Sequence, residues 1–221
     1  MIIAIDGPGA AGKGTLARRL AEALDFAYLD TGRLYRAVGA RLLAAGAEPD
    51  DAGAAARAAK GLRLADLDAA DLRGDAVAQA ASRAAAVPAV RQALLALQRR
   101  FARQPPGGKA GAVLDGRDIG TVVCPEAEVK LFLTAGRETR AERRHKELLE
   151  RGEASIYARV LAEMRERDKR DSERSAAPLR PAADAVVLDT STLDPEQAFR
   201  AAMDIVAPRL ARGRATPGNG R

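Results

Sequence analysis

Nine residues near the start, GPGAAGKGT at 7–15, constrain this chain more than any other stretch. They directly follow the apolar run Ile2–Ile5 and precede a segment with Leu16, Leu20 and Leu24 at steps of four. Gly7, four residues, then Gly12 and Lys13 is the spacing of a phosphate-binding loop, and strand–loop–helix is the context it requires. Glycines let successive N–H groups turn inward as a nest for phosphate oxygens. The helix N-terminus adds partial positive charge, and Lys13 extends toward the outer phosphates. The expected nucleotide-binding set is Gly7, Pro8, Gly9, Ala10, Ala11, Gly12, Lys13, Gly14 and Thr15. One departure matters: Gly14 follows the lysine, and the hydroxyl comes one residue later, at Thr15. Thr15 is then left to bind a phosphate, with any metal held mainly through water and the nucleotide.

Further apolar runs read as buried strands at Ala27–Leu29, Ala112–Leu114, Val129–Leu133 and Ala185–Leu188. Helical patterns separate them, as with Val90, Leu94, Leu97 and Phe101. The last helix opens with DPEQ, where Asp194 is an N-cap, Pro195 sits at N1 and Gln197 completes a capping box. Non-alternating apolar strands between helices predict an α/β chain with a parallel sheet flanked by helices on both faces. Residues 44–86, alanine-rich with weak strand signals, read as a helical excursion from that sheet.

A chain of 221 residues fits one such domain. No apolar run approaches the roughly 18–20 residues of a membrane span. The opening MIIAIDGPG has no basic region and no cleavage site, and its strand begins at residue 2, so the expected compartment is the cytoplasm. A single cysteine, Cys124, leaves no internal disulfide, and a single histidine, His145, argues against a histidine-based metal site or catalytic triad. The net charge of +6 raises nucleic-acid binding. That reading fails because the tail 209–221 carries four arginines and no acid, leaving +2 for the body. Three Tyr, four Phe and no Trp are also few for base stacking. The Gly/Pro-containing segment 211–221 is expected to be disordered.

RERDKRDSER at 165–174 holds nine charged residues in ten. Upstream, Tyr157, Val160, Leu161 and Met164 form an apolar stripe at helical spacing. The same stripe continues through Arg167, Asp171 and Arg174, so the face that packs a core turns charged. Buried charge is unfavourable unless paired or ligand-bound; these three are expected to line a polar cleft. The GKGT ending after a Pro-containing loop is similar to kinases of nucleoside monophosphates. Such a reaction brings two polyanions together, and arginines from several segments can hold the second one bidentately. Arg36, after the second strand, and Arg117, after the third, stand where ligands bind a parallel sheet.

Five stretches together, AIDGPGAAGKGTLA, YLDTGRLYR, AASRAAAVPAVRQALLALQR, LDGRDIGTVVCPEAEVKLFL and ERDKRDSERSAAPLRPAADAVVLDTS, closely resemble bacterial cytidylate kinases from Ile2 to about Leu210. DGRDIGTVV with the RDxRDxxRxxAPL pattern is far more specific than the loop alone. The resemblance implies a three-layer P-loop kinase fold in one domain, 1–210, with a monophosphate-binding insert at about 37–90 and a helical lid at about 146–172. It implies ATP on the loop, accompanied by magnesium without a dedicated protein metal site, and CMP or dCMP as acceptor, giving CDP or dCDP. The acceptor phosphate would be held by Arg36 and Arg117, with Thr31 nearby. Cytosine would be read by Ser82, Arg91 and Asp118: a carboxylate accepts from the 4-amino group while Arg and hydroxyl donate to O2 and N3. Arg167, Asp171 and Arg174 would contact sugar and phosphates. Charge neutralisation at the transferred group falls to Lys13, Arg117, Arg167 and Arg174. The partners are then small molecules, with no nucleic acid or membrane, and nothing demands more than a monomer. The alternative within the class is a kinase for UMP or AMP.

Blander readings stand beside several of these assignments. Arg36 could pair with Asp30, Arg91 could be a surface residue, and Asp118 could cap a turn. Asp115 either helps order magnesium-bound water or orients Arg117. Cys124 reads as packing, His145 as part of a solvated helix face in RAERRHK, and Arg165 and Arg170 as solvated. The family's insert usually contains a small antiparallel sheet. KGLRLADLDAADLRGDAVAQAAS at 60–82 is too short for it and poor in β-branched residues, so that sheet is expected to be truncated or missing.

Overall fold

A computed structural model describes residues 1–69, 72 and 74–214. Five strands form one sheet: β1 (Ile2–Asp6), β2 (Ala27–Asp30), β3 (Ala112–Gly116), β4 (Val129–Thr134) and β5 (Val186–Asp189). Their order is β2-β3-β1-β4-β5, and every pairing is parallel. The register runs Ile2↔Ala112 through Asp6↔Gly116, so β1 and β3 end level with each other.

The helices are α1 (Lys13–Leu24), α2 (Thr31–Ala44), α3 (Ala52–Ala59), α4 (Asp66–Ala69), α5 (Asp75–Ala84), α6 (Pro88–Arg103), α7 (Arg137–Glu150), α8 (Tyr157–Glu173) and α9 (Pro195–Arg214). A π-helical turn at Ile119–Val123 follows β3. Alternate strand residues feed two cores. Ile3, Ile5, Val113 and Leu131 pack with Leu16 and Leu20 of α1 and with Ala202 and Val206 of α9. Ala4, Leu29 and Leu114 pack on the other face with Leu34 and Val38 of α2 and with Val90, Leu94 and Phe101 of α6. This is the three-layer α/β arrangement expected from the unbroken apolar strands. Leu20 and Leu94 are essentially fully buried, and truncating either to alanine should cost about 2–5 kcal/mol.

Between α2 and α6 the chain is helical, and residues 60–77 contain no strand among the described residues, as the shortened segment predicts. Gly39 lets α2 approach α5 closely: a Cβ there would lie 2.8 Å from the Ala81 nitrogen. A third small core, Ala141, Leu148, Val160 and Met164, joins α7 to α8. The capping box of α9 is formed: Gln197 N–H donates to Asp194 Oδ1 at 2.8 Å, and Asp194 N–H donates to Gln197 Oε1 at 3.0 Å. Helix α9 continues to Arg214, so 211–214 are helical where disorder is expected; the remainder of that segment lies outside the described residues.

Candidate active site

The loop from Gly7 to Gly12 links the C-terminal end of β1 to α1. Gly7 has φ +146°, and a Cβ there would sit 2.1 Å from the Leu133 carbonyl oxygen on neighbouring β4, so no larger residue fits. Lys13 Nζ donates to the Pro8 carbonyl at 2.6 Å, closing the loop across itself. Burial, reinforced by the Arg117 charge, lowers the Lys13 pKa well below its ordinary value. Added negative charge nearby would relieve that.

Asp6, beneath the loop, accepts from the Ile119 and Gly120 N–H groups at 2.7 and 2.8 Å. Asp115, at the level end of β3, accepts from Tyr28 Oη–H at 3.1 Å. Burial, then the nearby Asp30 charge, pushes the Asp115 carboxyl up to about 7. Asp115 does not bond Arg117. Thr31 spends its hydroxyl proton on the Asp115 carbonyl at 2.8 Å.

Across the cleft, Arg117 Nε donates to Asp171 Oδ2 at 2.9 Å, and Arg174 lies 4.0 Å from the other oxygen of that carboxylate. Burial alone would raise the Asp171 pKa, but Arg117 and Arg167 hold it below the ordinary value. Arg167 makes no hydrogen bond among the described residues, and its Nε is enclosed without a hydrogen-bond partner, as is one terminal nitrogen of Arg174, which lies 4.0 Å from Asp118. Burial, then Arg117, pushes Arg167 down to about 10. Arg36 has no protein partner among the described residues either; it does not pair with Asp30. Enclosed guanidiniums with too few carboxylates are costly unless an anion completes them.

Ser82, Arg91 and Asp118 form the third group. Arg91 pairs with Asp118, its guanidinium lies 5.6 Å from the Tyr35 ring centroid, and both partners are nearly enclosed. Arg91 is therefore not a surface residue. One cavity of about 660 Å³ joins all three groups. Every expected site residue lines it except Gly7 and Pro8, which shape the loop from behind.

A sequence profile described as Cytidylate kinase matches residues 3–207. The chain belongs to the cytidylate kinase family. Among curated relatives, a cytidylate kinase from Paramagnetospirillum magneticum is 66% identical over 94% of this chain and 98% of that protein. One from Rhodospirillum rubrum is 61% identical over 94% of this chain and 97% of its own. One from Xanthobacter autotrophicus is 60% identical over 96% and 99%. A solved structure of an uncharacterized protein from Eubacterium ventriosum shares the fold alone, at 15% identity, TM-score 0.53, and coverage of 94% of this chain and 98% of that one.

Other cytidylate kinase features of this chain escape the sequence reading. Arg140 of α7 is buried; it donates to the Gly9 carbonyl at 3.2 Å and forks onto Asp168 of α8 at 3.2 and 2.7 Å, tying the loop to α7 and α8. Arg143 donates to Thr190, whose hydroxyl reaches the Ala11 carbonyl at 3.1 Å. Arg170 is not simply solvated: it donates to Gln79 Oε1 at 2.7 Å and to Ser82 Oγ at 3.4 Å. His145 is half-buried against Tyr157, with Nδ1 2.7 Å from Ser155 Oγ, rather than on a solvated face. Arg165 is exposed, as expected.

Proposed function

We propose that the protein transfers the γ-phosphoryl group of ATP to CMP and dCMP, yielding CDP and dCDP. One observation carries the reading. One cavity is lined by the Gly-rich loop, by Arg36 and Arg167, which pair with no carboxylate among the described residues, and by the trio Ser82, Arg91 and Asp118. The first group suits ATP, the second a monophosphate. The trio suits cytosine, whose 4-amino group donates to Asp118 while O2 and N3 accept from Arg91 and Ser82. Uracil carries a carbonyl at position 4 and would set one acceptor against another at Asp118, a strong form of discrimination.

In this reading Lys13 leaves the Pro8 carbonyl for the donor phosphates. Arg36 and Arg117 hold the acceptor phosphate, and Arg167 and Arg174 neutralise charge between the two nucleotides. A phosphate oxygen is already an adequate nucleophile, so catalysis is placement and charge neutralisation. Closure of α7 and α8 over ATP and of the insert over CMP excludes water as a competing acceptor.

Magnesium fits the oxygen donors beside the loop. Burial and then the nearby Asp30 charge raise the cost of ionising Asp115 there, which a hard cation relieves. Thr15 and Asp115 would hold it through the nucleotide and water, and its chemistry when bound is to neutralise phosphate oxygens. A monomer working in the cytoplasm completes the proposal; no described helix is long and apolar enough to cross a membrane.

The test is ADP release with ATP and magnesium, comparing CMP, dCMP, UMP, AMP and GMP as acceptors. Preference for CMP and dCMP is expected. Preference for UMP or AMP would keep the kinase and overturn the cytosine pocket.

A further inference from the structure

Arg170 sits on α8, off the charged stripe that lines the cleft, yet its guanidinium crosses to α5. Its terminal nitrogen donates to Gln79 Oε1 at 2.7 Å and its Nε to Ser82 Oγ at 3.4 Å. Glu166, one turn back on α8, lies 3.7 Å from the remaining nitrogen and steadies the fork from its own helix. Gln79 and Ser82 are three residues apart, so one guanidinium can address both on a single helical face.

The chemistry of that contact is directional. A guanidinium only donates, whereas a serine hydroxyl has one proton to give and lone pairs to accept with. The Ser82 oxygen is thus the acceptor toward Arg170, and its own proton must point elsewhere. A helical serine commonly returns its proton to a carbonyl one turn back, but Ser82 makes no such bond and has no other protein acceptor among the described residues. Ser82 lines the acceptor end of the cavity.

We infer that Arg170 is a specificity-positioning residue, fixing the Ser82 hydroxyl as a donor into the acceptor site. A hydroxyl held that way favours a base edge carrying acceptors. Cytosine presents O2 and an unprotonated N3; uracil presents an N3–H, which a committed donor cannot satisfy. Arg170 would then discriminate between pyrimidines without touching either. The contact also makes the setting depend on α8 being docked against α5, so the hydroxyl is oriented when the lid side and acceptor side are together. This rests on the reading of Ser82 as a base contact.

The experiment measures kcat and KM for CMP and UMP in the full-length protein and in Arg170→Met, Arg170→Lys, Ser82→Ala and the Arg170→Met/Ser82→Ala double variant. A neutral hydrogen bond is worth about 1 kcal/mol, so Arg170→Met should lower the CMP-to-UMP ratio of kcat/KM by about fivefold. The loss should fall on KM for CMP more than on kcat. Arg170→Lys, still a donor, should restore much of the ratio. Adding Ser82→Ala to Arg170→Met should lower it little further, because the two act through one hydroxyl. An unchanged ratio in Arg170→Met while Ser82→Ala lowers it, or additive losses in the double variant, would overturn the inference and leave Ser82 in place. An unchanged ratio in Ser82→Ala would overturn both.

Discussion

Arg117 donates from Nε to Asp171 at 2.9 Å, joining the residue after β3 to the last turns of α8. The pair gives the positive side of the cleft a fixed frame: one carboxylate sets the position of a guanidinium that also donates from a terminal nitrogen to the Gly116 carbonyl at 3.3 Å and lines the cavity. Arg174 stands at the edge of the same carboxylate, and Arg167 lies close enough for its charge to be felt.

In the proposed reading, Arg117→Ala removes donors from the acceptor phosphate and from the transferring group together. Loss of such a donor typically costs about 10²–10³ in rate, so kcat/KM for CMP should fall by that factor in steady-state assays. An unchanged value would remove Arg117 from the site.

Asp118→Ala unpairs Arg91 and, in the proposed reading, deletes the acceptor for the cytosine 4-amino group. Hydrogen bonds to charged groups are worth about 1.5–3 kcal/mol, so kcat/KM for CMP should drop by roughly 10- to 100-fold. UMP, which gains nothing from the carboxylate, should lose less. A preserved CMP-to-UMP ratio would count against the trio.

Gly39→Ala should loosen the packing of α2 on α5. The added Cβ meets the Ala81 nitrogen at 2.8 Å and the Val77 carbonyl at 3.0 Å, both helix backbone that cannot yield cheaply. Overpacking of this kind costs about 1–3 kcal/mol, or about 2–4 °C of Tm per kcal/mol in a domain of this size. Because Ala81 precedes Ser82, KM for CMP should rise more than KM for ATP. Thermal unfolding and the two KM values check this.

Asp115 provides a pH test. Its carboxyl is pushed up from 3.8 to about 7, so between those values the folded chain holds a proton that the unfolded chain releases. Stability is therefore lost as pH rises through that window. Asp115→Asn keeps an acceptor for the Tyr28 hydroxyl without the charge. Its Tm advantage over the parent should be widest near pH 8 and gone near pH 4. An advantage independent of pH would mean the carboxylate is not the cause.

Much of the fold and of the site is legible in the residue order, because it follows local rules. The strands are apolar runs, the loop is a fixed spacing between strand and helix, and the α9 cap lies within four residues. Arg167, Asp171 and Arg174 are legible because they extend an apolar stripe at helical spacing. Arg140 and Arg170 are not: beyond Ala135 and Glu166 close by in the chain, their partners lie 28 to 131 and 88 to 91 positions away. Nothing in RAERRHK separates Arg140, which turns inward beneath the loop, from the exposed Lys146. The fate of Asp115 is likewise tertiary, since its hydroxyl partner Tyr28 comes from β2, 87 residues earlier.

The strand order carries a consequence for how the chain is made. Neither β1 nor β2 pairs with the other; both wait for β3, which begins at Ala112. A growing chain therefore cannot close a single rung between these strands until Ala112 and the residues after it have been synthesised. Ile2–Ile5, among the most apolar stretches of the chain, must spend that interval unpaired, when such segments are open to aggregation. Helices α3 and α5, which both pack on α2 in the folded chain, precede β3 in the sequence and need no strand for those contacts.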